Sequence, residues 1–593
     1  MKKLIIAGIL FLPLTSHAQT SLEPIVLVPG IMGSWNWEVM TQGGGAGSWD
    51  FFPIDHTWDS MFSALEDAGY ERDVNLFVAF YDWRQSNINS ATDFLIPTID
   101  EALENSPTGK VDIIAHSMGG LVARRYIQSD DYRNDVDQLI MLGTPNHGSS
   151  DVYTLWEGGA VPKNWDKSSK YVIGSYLWYM NTATAQTADN YDTIHTFIPS
   201  VGELLPVYDF LLDSDESFIS YGDLIEGQNS FLENLNFGGT GTELQALGGI
   251  TVIAGKGEAT VANIPVVDRP ESETKLWTDG MPEPITPVRD NTEGDNRVLT
   301  DSAFINNVVF PISPAQNFWD KFLATLFPSV YAEYDGGNEE DFLKQIEIDS
   351  KHGDLPTTAI DEVFTALNVP IPGGDYPVPV EPDNITSFWF ASPVEVKVTD
   401  PNGNVITKNS NNIPGAVYTG ESDPNGVKMV IIPDGAPGVY EVELMGTADG
   451  EYHMAGATFT DTADNIVTVE KDIEEGEKVE YTIDVNHVNS LIEISDPVIT
   501  EPESDSPIDM TEDLIADVKT YYQDGKIKDK KVYQALQLSL KVTLNALLAD
   551  KPKIATISLY GFIGTIKISP RKIDSAAASD LIAKAKAIIA EID

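Results

Sequence analysis

A serine set at the junction of a strand and a helix is the first feature of this chain that could do chemistry. In Val111-Asp112-Ile113-Ile114-Ala115-His116-Ser117-Met118-Gly119-Gly120-Leu121-Val122-Ala123-Arg124, an apolar β-branched run leads directly into Ser117 and then into a helical pattern. A nucleophile elbow needs this order, because the tight turn forces strained dihedrals on the serine. Small residues at Ala115 and Gly119 let strand and helix approach. The serine then sits at a helix N-terminus, where backbone N–H groups favour developing negative charge. An earlier stretch, Ile25-Val26-Leu27-Val28-Pro29-Gly30-Ile31-Met32-Gly33-Ser34, reads as a strand ending in a Gly-containing turn. Such a turn can aim one N–H at an oxyanion while the residue after the nucleophile supplies a second. The expected donors are the amides of Ile31 and Met118, with Met32 as the alternate and as a substrate contact.

A serine hydroxyl needs a base, and the base needs an orienting carboxylate. In an α/β-hydrolase fold these follow in the order Ser, Asp or Glu, His. Of the eight histidines, His17 falls in the leader and His56 precedes the serine. His116 adjoins the serine and is expected to point elsewhere. His147 and His195 come before the last core strands, and His453 and His487 fall in a later segment. His352 remains, after the strand-like Phe342-Leu343-Lys344-Gln345-Ile346-Glu347-Ile348 and before a helix over Thr357–Leu367. For the acid, Asp295 lies in a loop between the strand ending at Ala254 and His352. Asp301, Asp349 and Asp354 stay open as alternatives.

These residues need a scaffold, and four textures divide the 593 residues. From Glu23 to about Val369, short buried runs (Pro24–Val28, Leu76–Tyr81, Val111–Ala115, Gln138–Leu142, Ile250–Ala254) alternate with helical patterns, which predicts a mainly parallel sheet covered by helices. An inserted lid is expected at about 150–245, rich in Trp, Tyr and Gly, where Trp156, Trp165, Trp178 and Tyr179 could meet lipid; Trp156 and Trp178 are the expected substrate contacts there. After a Pro- and Gly-dense linker at 370–382, the strand-like runs Phe388–Val398, Val427–Ile432, Gly438–Met445, Tyr452–Thr460 and Val479–Val485 predict a β-sandwich over 383–490. A second, acidic linker leads to a small helical bundle over 508–593. There Thr511 is expected to cap a first helix, with further helices at about Asp529–Leu548 and Ser575–Ile592.

Composition narrows the function. Lys and Arg number 37 against 91 Asp and Glu, a net charge of −54, so nucleic-acid binding is excluded and any lipid contact is expected to be apolar and transient, through the lid. Lys2 and Lys3, an apolar run from Leu4 to Leu14 and Ser16-His17-Ala18 read as an export signal over 1–18, too short to span a bilayer. The expected location is therefore periplasmic or secreted, with no transmembrane span. The chain holds no cysteine, so neither disulfides nor thiolate metal sites are expected. The Asp-Asn-Gly clusters lack EF-hand spacing, and no metal or cofactor is expected.

As a set, the motifs resemble the lecithin:cholesterol acyltransferase-like group of α/β-hydrolases, and more loosely bacterial lipases. They are Val28-Pro29-Gly30-Ile31-Met32-Gly33-Ser34, Tyr81-Asp82-Trp83-Arg84, Ala115-His116-Ser117-Met118-Gly119-Gly120, Leu142-Gly143-Thr144-Pro145-Asn146-His147-Gly148-Ser149 and Pro199-Ser200-Val201-Gly202-Glu203-Leu204-Leu205-Pro206. The resemblance implies that Asp295, within Gly294-Asp295-Asn296-Arg297-Val298, is the triad acid, and that His352 is the base. Asn296 and Arg297 depart from the small pair usual after that aspartate. Arg84 is expected to brace the sheet edge. The sandwich resembles immunoglobulin-like modules, and the last segment resembles FIMAH-type helical domains. The implied activity is cleavage or transfer of the acyl group of a lipid ester through an acyl-enzyme. A non-lipid esterase or polyester depolymerase is the alternative within the same chemistry, and an inactive hydrolase-fold adhesin is the alternative outside it.

Overall fold

In the computed structural model, residues 22–592 are described apart from 43–47, 164, 239–242, 245–246, 271–272, 274, 285–290, 306–342, 421–425, 462, 489 and 501–505. The expected export signal at 1–18 lies outside them. The chain divides into two compact units, Met1–Glu474 with Val479–Val498, and Ile499–Asp593 with Glu475–Lys478.

The first unit begins with six parallel strands: β1 (Ile25–Val28), β2 (Leu76–Val78), β3 (Val111–His116), β4 (Val136–Leu142), β5 (Gly249–Lys256) and β6 (Leu343–Asp349), in the order β6-β5-β4-β3-β1-β2. Every residue of β1 and β3 is buried, as parallel strands covered on both faces must be. The two-residue alternation sends Val26, Val28, Ile113 and Ala115 into one core, which includes Leu121 and Val122 of α1 (Met118–Ile127). Ile25, Leu27, Ile114 and Ile140 enter a second core on the opposite face, against Met61, Leu65, Val363 and Phe364. This architecture fits the expected α/β-hydrolase class.

Between β4 and β5 the chain forms short helices, among them α2 (Tyr153–Gly158), α3 (Lys167–Trp178), α4 (Asn190–Phe197) and α5 (Ser230–Phe237), and α6 (Ile360–Leu367) follows β6. Within α2, the Glu157 side chain is buried, with Oε1 unpartnered among the described residues and Oε2 accepting the Asp279 N–H at 3.3 Å. Burial, reinforced by the Asp279 and Glu226 carboxylates, pushes its carboxyl up to about 8.

The same unit continues into two antiparallel sheets. One holds β7 (Ile385–Ala391), β9 (Val427–Pro433), β11 (Gly450–Phe459) and β12 (Asp464–Ile473). The other holds β8 (Val394–Thr399), β10 (Gly438–Gly446) and β13 (Lys478–Asn486). Their facing side chains, such as Phe388, Phe390, Val396, Leu444 and Ile483, share one apolar core. The sequence predicted a single strand over Phe388–Val398. Two strands form instead, in different sheets, because the pairing stops at Ser392-Pro393, where proline has no N–H to give. Strand β12 escaped the sequence reading because six of its ten residues are polar and all but Ile473 are exposed or half-buried.

The outer face of the β7 sheet is also apolar, and α3 covers it. Tyr171 packs on Trp389 and Phe459 at ring separations of 5.9 and 5.7 Å, and Trp178 lies 5.4 Å from Trp389. The buried Lys170 ammonium meets Asp464 at 2.8 Å and the Thr460 carbonyl at 2.9 Å, and Lys167 pairs with Asp461.

The second unit carries four helices: α7 (Pro507–Gln523), α8 (Lys530–Leu548), α9 (Pro552–Lys567) and α10 (Ser575–Ile592), with Leu514, Leu536, Leu559 and Leu581 among the side chains of one core. Thr511 does not cap the first helix. The helix starts four residues earlier at Pro507, and the Thr511 hydroxyl donates back to the Pro507 carbonyl at 2.6 Å. The apolar stretch between the two later predicted helices is itself helix α9. Asp529 caps α8 through the N–H groups of Lys531 and Val532.

Two outcomes are expected. Trp389→Ala empties a fully buried site and should cost about 3–5 kcal/mol in chemical denaturation of the first unit. For Glu157, folding retains a proton that the unfolded chain releases, so this group removes stability as pH rises from about 4.5 to about 8. Melting curves should show Glu157→Gln gaining on the wild type through that window, with the gain levelling off above it.

Candidate active site

Ser117 occupies a turn no ordinary side chain favours. Its φ of 55° and ψ of −129° cost on the order of 1–3 kcal/mol, and the surroundings enforce them. The Ser117 N–H donates to Leu142 O on β4 at 2.8 Å, and the Gly120 N–H returns to Ser117 O at 3.1 Å. A Cβ at Gly119 would lie 2.5 Å from the carbonyl oxygens of both Val28 and Pro29, and one at Gly120 would lie 1.9 Å from Thr144 Oγ1. Only glycines allow β1, β3 and α1 to meet this closely.

The turn after β1 stands opposite. Gly33 N–H closes it onto Gly30 O at 3.2 Å, with Met32 at φ 66°. The buried Tyr81 hydroxyl donates to Pro29 O at 2.9 Å, and Ser34 Oγ accepts the Tyr81 N–H at 3.2 Å. Arg84 grips both Asp82 oxygens at 2.8 Å and the Met40 carbonyl at 2.7 Å, a bracing contact outside the cavity. Among the described residues neither the Ile31 nor the Met118 amide has a hydrogen-bond partner.

His352 follows β6 and meets Asp295, as the order of motifs requires. His352 Nδ1 lies 2.8 Å from Asp295 Oδ2, and the His352 backbone N–H donates to Asp295 O at 2.8 Å. Asp295 is 1% exposed, and its Oδ1 accepts the N–H groups of Arg297 and Val298 at 3.0 and 2.8 Å. That leaves Oδ2 to fix the imidazole with Nδ1 protonated and Nε2 free to accept a proton. The pair sits above Gly143, where a Cβ would come within 3.0 Å of both Asp295 Oδ2 and His352 Nδ1. Asp301, Asp349 and Asp354 make no hydrogen bond to the imidazole.

His116 does not point elsewhere. Its ring packs 4.7 Å from that of His352, and its Nε2 lies 2.9 Å from the His352 carbonyl oxygen. Burial, helped by the neighbouring His352, lowers it to about 3. The neutral ring therefore donates from Nε2 and holds the loop that carries His352. The sequence offered no signal for this brace beyond adjacency to the serine.

Ser117, His352, Ile31 and Met32 border one cavity of about 220 Å3. No hydrogen bond joins Ser117 Oγ to His352 among the described residues, and such bonds commonly tighten only around substrate. Phe52, Ile54, Trp58, Val172 and Leu204 give the cavity apolar walls, and Val380 and Glu381 of the linker reach its rim. The sequence reading also missed a charged cluster here. Arg297 bridges Asp151 (3.0 Å) and Asp166 and stacks 4.5 Å over Trp165, whose indole N–H donates to Asp151 at 2.6 Å. Burial opposes the Asp166 carboxylate, yet Arg297 and Ser169 hold it below its ordinary range. The Arg297 that departs from the small pair thus has a definite partner set.

Trp156 and Trp178 do not border the cavity. Trp156 stacks on His195 at 3.9 Å and donates to the Glu226 carbonyl, while Trp178 is consumed by its contact with Trp389. Trp165 takes the place expected of them. Among the described residues no group of His, Asp and Glu side chains is arranged to hold a metal ion, and no helix is long and apolar enough to cross a membrane.

Residues 44–164 match the family model of lecithin:cholesterol acyltransferase. Within the chain, 95 residues are 36% identical to phospholipase A(1) LCAT3 of Arabidopsis thaliana, covering 15% of this chain and 21% of that one. A further 105 residues are 29% identical to lecithin-cholesterol acyltransferase-like 4 of the same plant, covering 17% and 20%. The chain thus spans about a fifth of the length of the curated relatives it matches. The propeptide form of the Bacillus licheniformis lipase BlEst2 aligns over 81% of this chain and 97% of its own at 12% identity, with a TM-score of 0.24, a likeness too low to weigh. The matched segment contains the Tyr81-Asp82-Trp83-Arg84 motif, the Ser117 elbow and the Gly143-Thr144-Pro145 turn. Asp295 and His352 fall beyond it.

Because the atoms facing Gly119 are backbone oxygens, relaxation cannot absorb an added methyl. Gly119→Ala is expected to lower the melting temperature and to abolish labelling of Ser117 by a fluorophosphonate, whereas Gly561→Ala, on an open helix surface, should lower neither.

Proposed function

We propose that this protein is an exported serine hydrolase that cleaves, or passes to an alcohol, the acyl group of lipid carboxylic esters. The observation carrying this reading is the 2.8 Å contact between His352 Nδ1 and a buried Asp295, beside a cavity that His352 and the strained Ser117 both border. In the reading, His352 Nε2 takes the Ser117 proton as Oγ attacks the ester carbonyl. The oxyanion is held by the Ile31 and Met118 amides, and Asp295 keeps the imidazole in one tautomer and stabilises its protonated form. The alcohol leaves with the proton from His352, giving an acyl-serine. Water or a second alcohol, deprotonated by the same histidine, then releases the acyl group.

The preference for lipid esters rests on the lecithin:cholesterol acyltransferase match across the elbow, on the names of the matched plant proteins and on the apolar cavity walls. The proposed organisation is a catalytic domain over 19–370 with its lid at about 150–245, an immunoglobulin-like module over 383–490 and a FIMAH-type helical domain over 508–593. Export rests on the leader pattern at 1–18.

Wild type, Ser117→Ala and Asp295→Asn are to be assayed on long- and short-chain esters with and without acceptor alcohols. Turnover of long-chain esters should vanish in Ser117→Ala and fall by roughly 10³–10⁴-fold in Asp295→Asn. Exclusive turnover of short-chain esters would move the reading to a non-lipid esterase. Fluorophosphonate labelling that persists unchanged in Ser117→Ala would remove it.

A further inference from the structure

The six lysines between Lys530 and Lys567 face a single acidic residue, Asp550, in a chain whose net charge is −54. They sit on α8, α9 and the turn between them, and among the described residues none of them is in an ion pair. The same two helices leave apolar side chains in water. Leu538 and Val542 are one turn apart on α8, Ile554 and Ile557 are one turn apart on α9, and Ile568 follows. Ile557 is 71% exposed and Leu538 65%.

These groups form one face. Ser539 Oγ donates to the Ser558 carbonyl at 2.7 Å and Ser558 Oγ to the Ser539 carbonyl at 2.8 Å, so the helices meet closely at that point. The core side chains Leu536, Leu540, Leu559 and Phe562 turn inward. Leu538 and Val542 then lie outward on one side of the seam, and Ile554 and Ile557 on the other. Lysines stand at both ends of this surface and along its flanks.

We propose that the outward face of the α8–α9 hairpin docks on an anionic lipid surface, with its isoleucines and leucine entering the acyl boundary and its lysines meeting head-group phosphates. An apolar strip rimmed by unpaired lysines is what interfacial helices present. A dissolved polyanion would engage the lysines and leave Leu538 and Ile557 in water. A second copy of the chain would bring two positive faces together. The inference goes beyond the hydrolase reading and does not depend on Ser117.

The test is co-flotation of the full chain, as Ser117→Ala and as wild type, with phosphatidylcholine vesicles containing or lacking phosphatidylglycerol, at low and high salt. Both proteins should float with the phosphatidylglycerol vesicles at low salt and release at high salt. Partitioning should weaken about fivefold for each lysine removed in the series Lys531→Gln, Lys541→Gln and Lys553→Gln, and Ile557→Ser should weaken it at unchanged charge. Turnover of a dissolved short-chain ester should be the same in all these variants on the wild-type background. Equal flotation with the lysines replaced would overturn the proposal. So would an unaltered response in Ile557→Ser and Leu538→Ser together, which would indicate attraction of polyanions alone.

Discussion

The close approach of three backbones around Ser117 constrains the rest of the parallel-sheet half. Strand β3 delivers the serine at a φ of 55°, α1 departs at once, and the carbonyls of Val28 and Pro29 lie against Gly119 with no room for a methyl group. The same crowding sets the turn after β1 beside the serine, tied by Tyr81 to Pro29. It also brings Leu142 of β4 close enough to hold the Ser117 amide, and at the next residue Gly143 leaves space for Asp295 and His352. The geometry of the candidate site is thus a property of strand spacing, and side chains far apart in sequence inherit it.

Charge inside the cavity follows a second constraint. A chain this acidic places carboxylates almost everywhere, yet Asp151 and Asp166 on the cavity wall and Asp295 beside it all have partners. Arg297 serves Asp151 and Asp166 together, and Asp295 is satisfied by two backbone amides and an imidazole. His116 is driven neutral by burial and so can pack against His352 without adding positive charge. Isolated ionised groups would be expensive at such depth.

Much of this was legible in the sequence. The parallel strands announced themselves as short β-branched runs, because strands covered on both faces cannot afford polar alternation. Ser117 was marked by its strand and helix, and His352 emerged because only eight histidines had to be considered. Contacts that depend on tertiary placement were not legible. Nothing local tells that His116 holds the His352 carbonyl or that Trp178 faces Trp389 instead of the cavity. Strand β12, mostly polar and little buried, has no periodic signal strong enough to read. Thr511 shows the converse failure, a residue of capping type drawn inside its helix by the proline that starts it.

Helix α3 belongs to two neighbours at once. Ser168, Ser169 and Val172 border the cavity, while Lys170, Tyr171 and Trp178 are spent on the β7 sheet through a buried ammonium and stacked rings. One wall of the cavity is therefore furnished by a helix whose back is welded to the β-sheets that follow. A chain cut at the 370–382 linker would strip that helix of its support, leaving Tyr171 and Trp178 wet and Lys170 without a counter-charge. The sandwich thus acts as masonry for the cavity, and shortening the protein to the parallel-sheet half would change the shape of the candidate site.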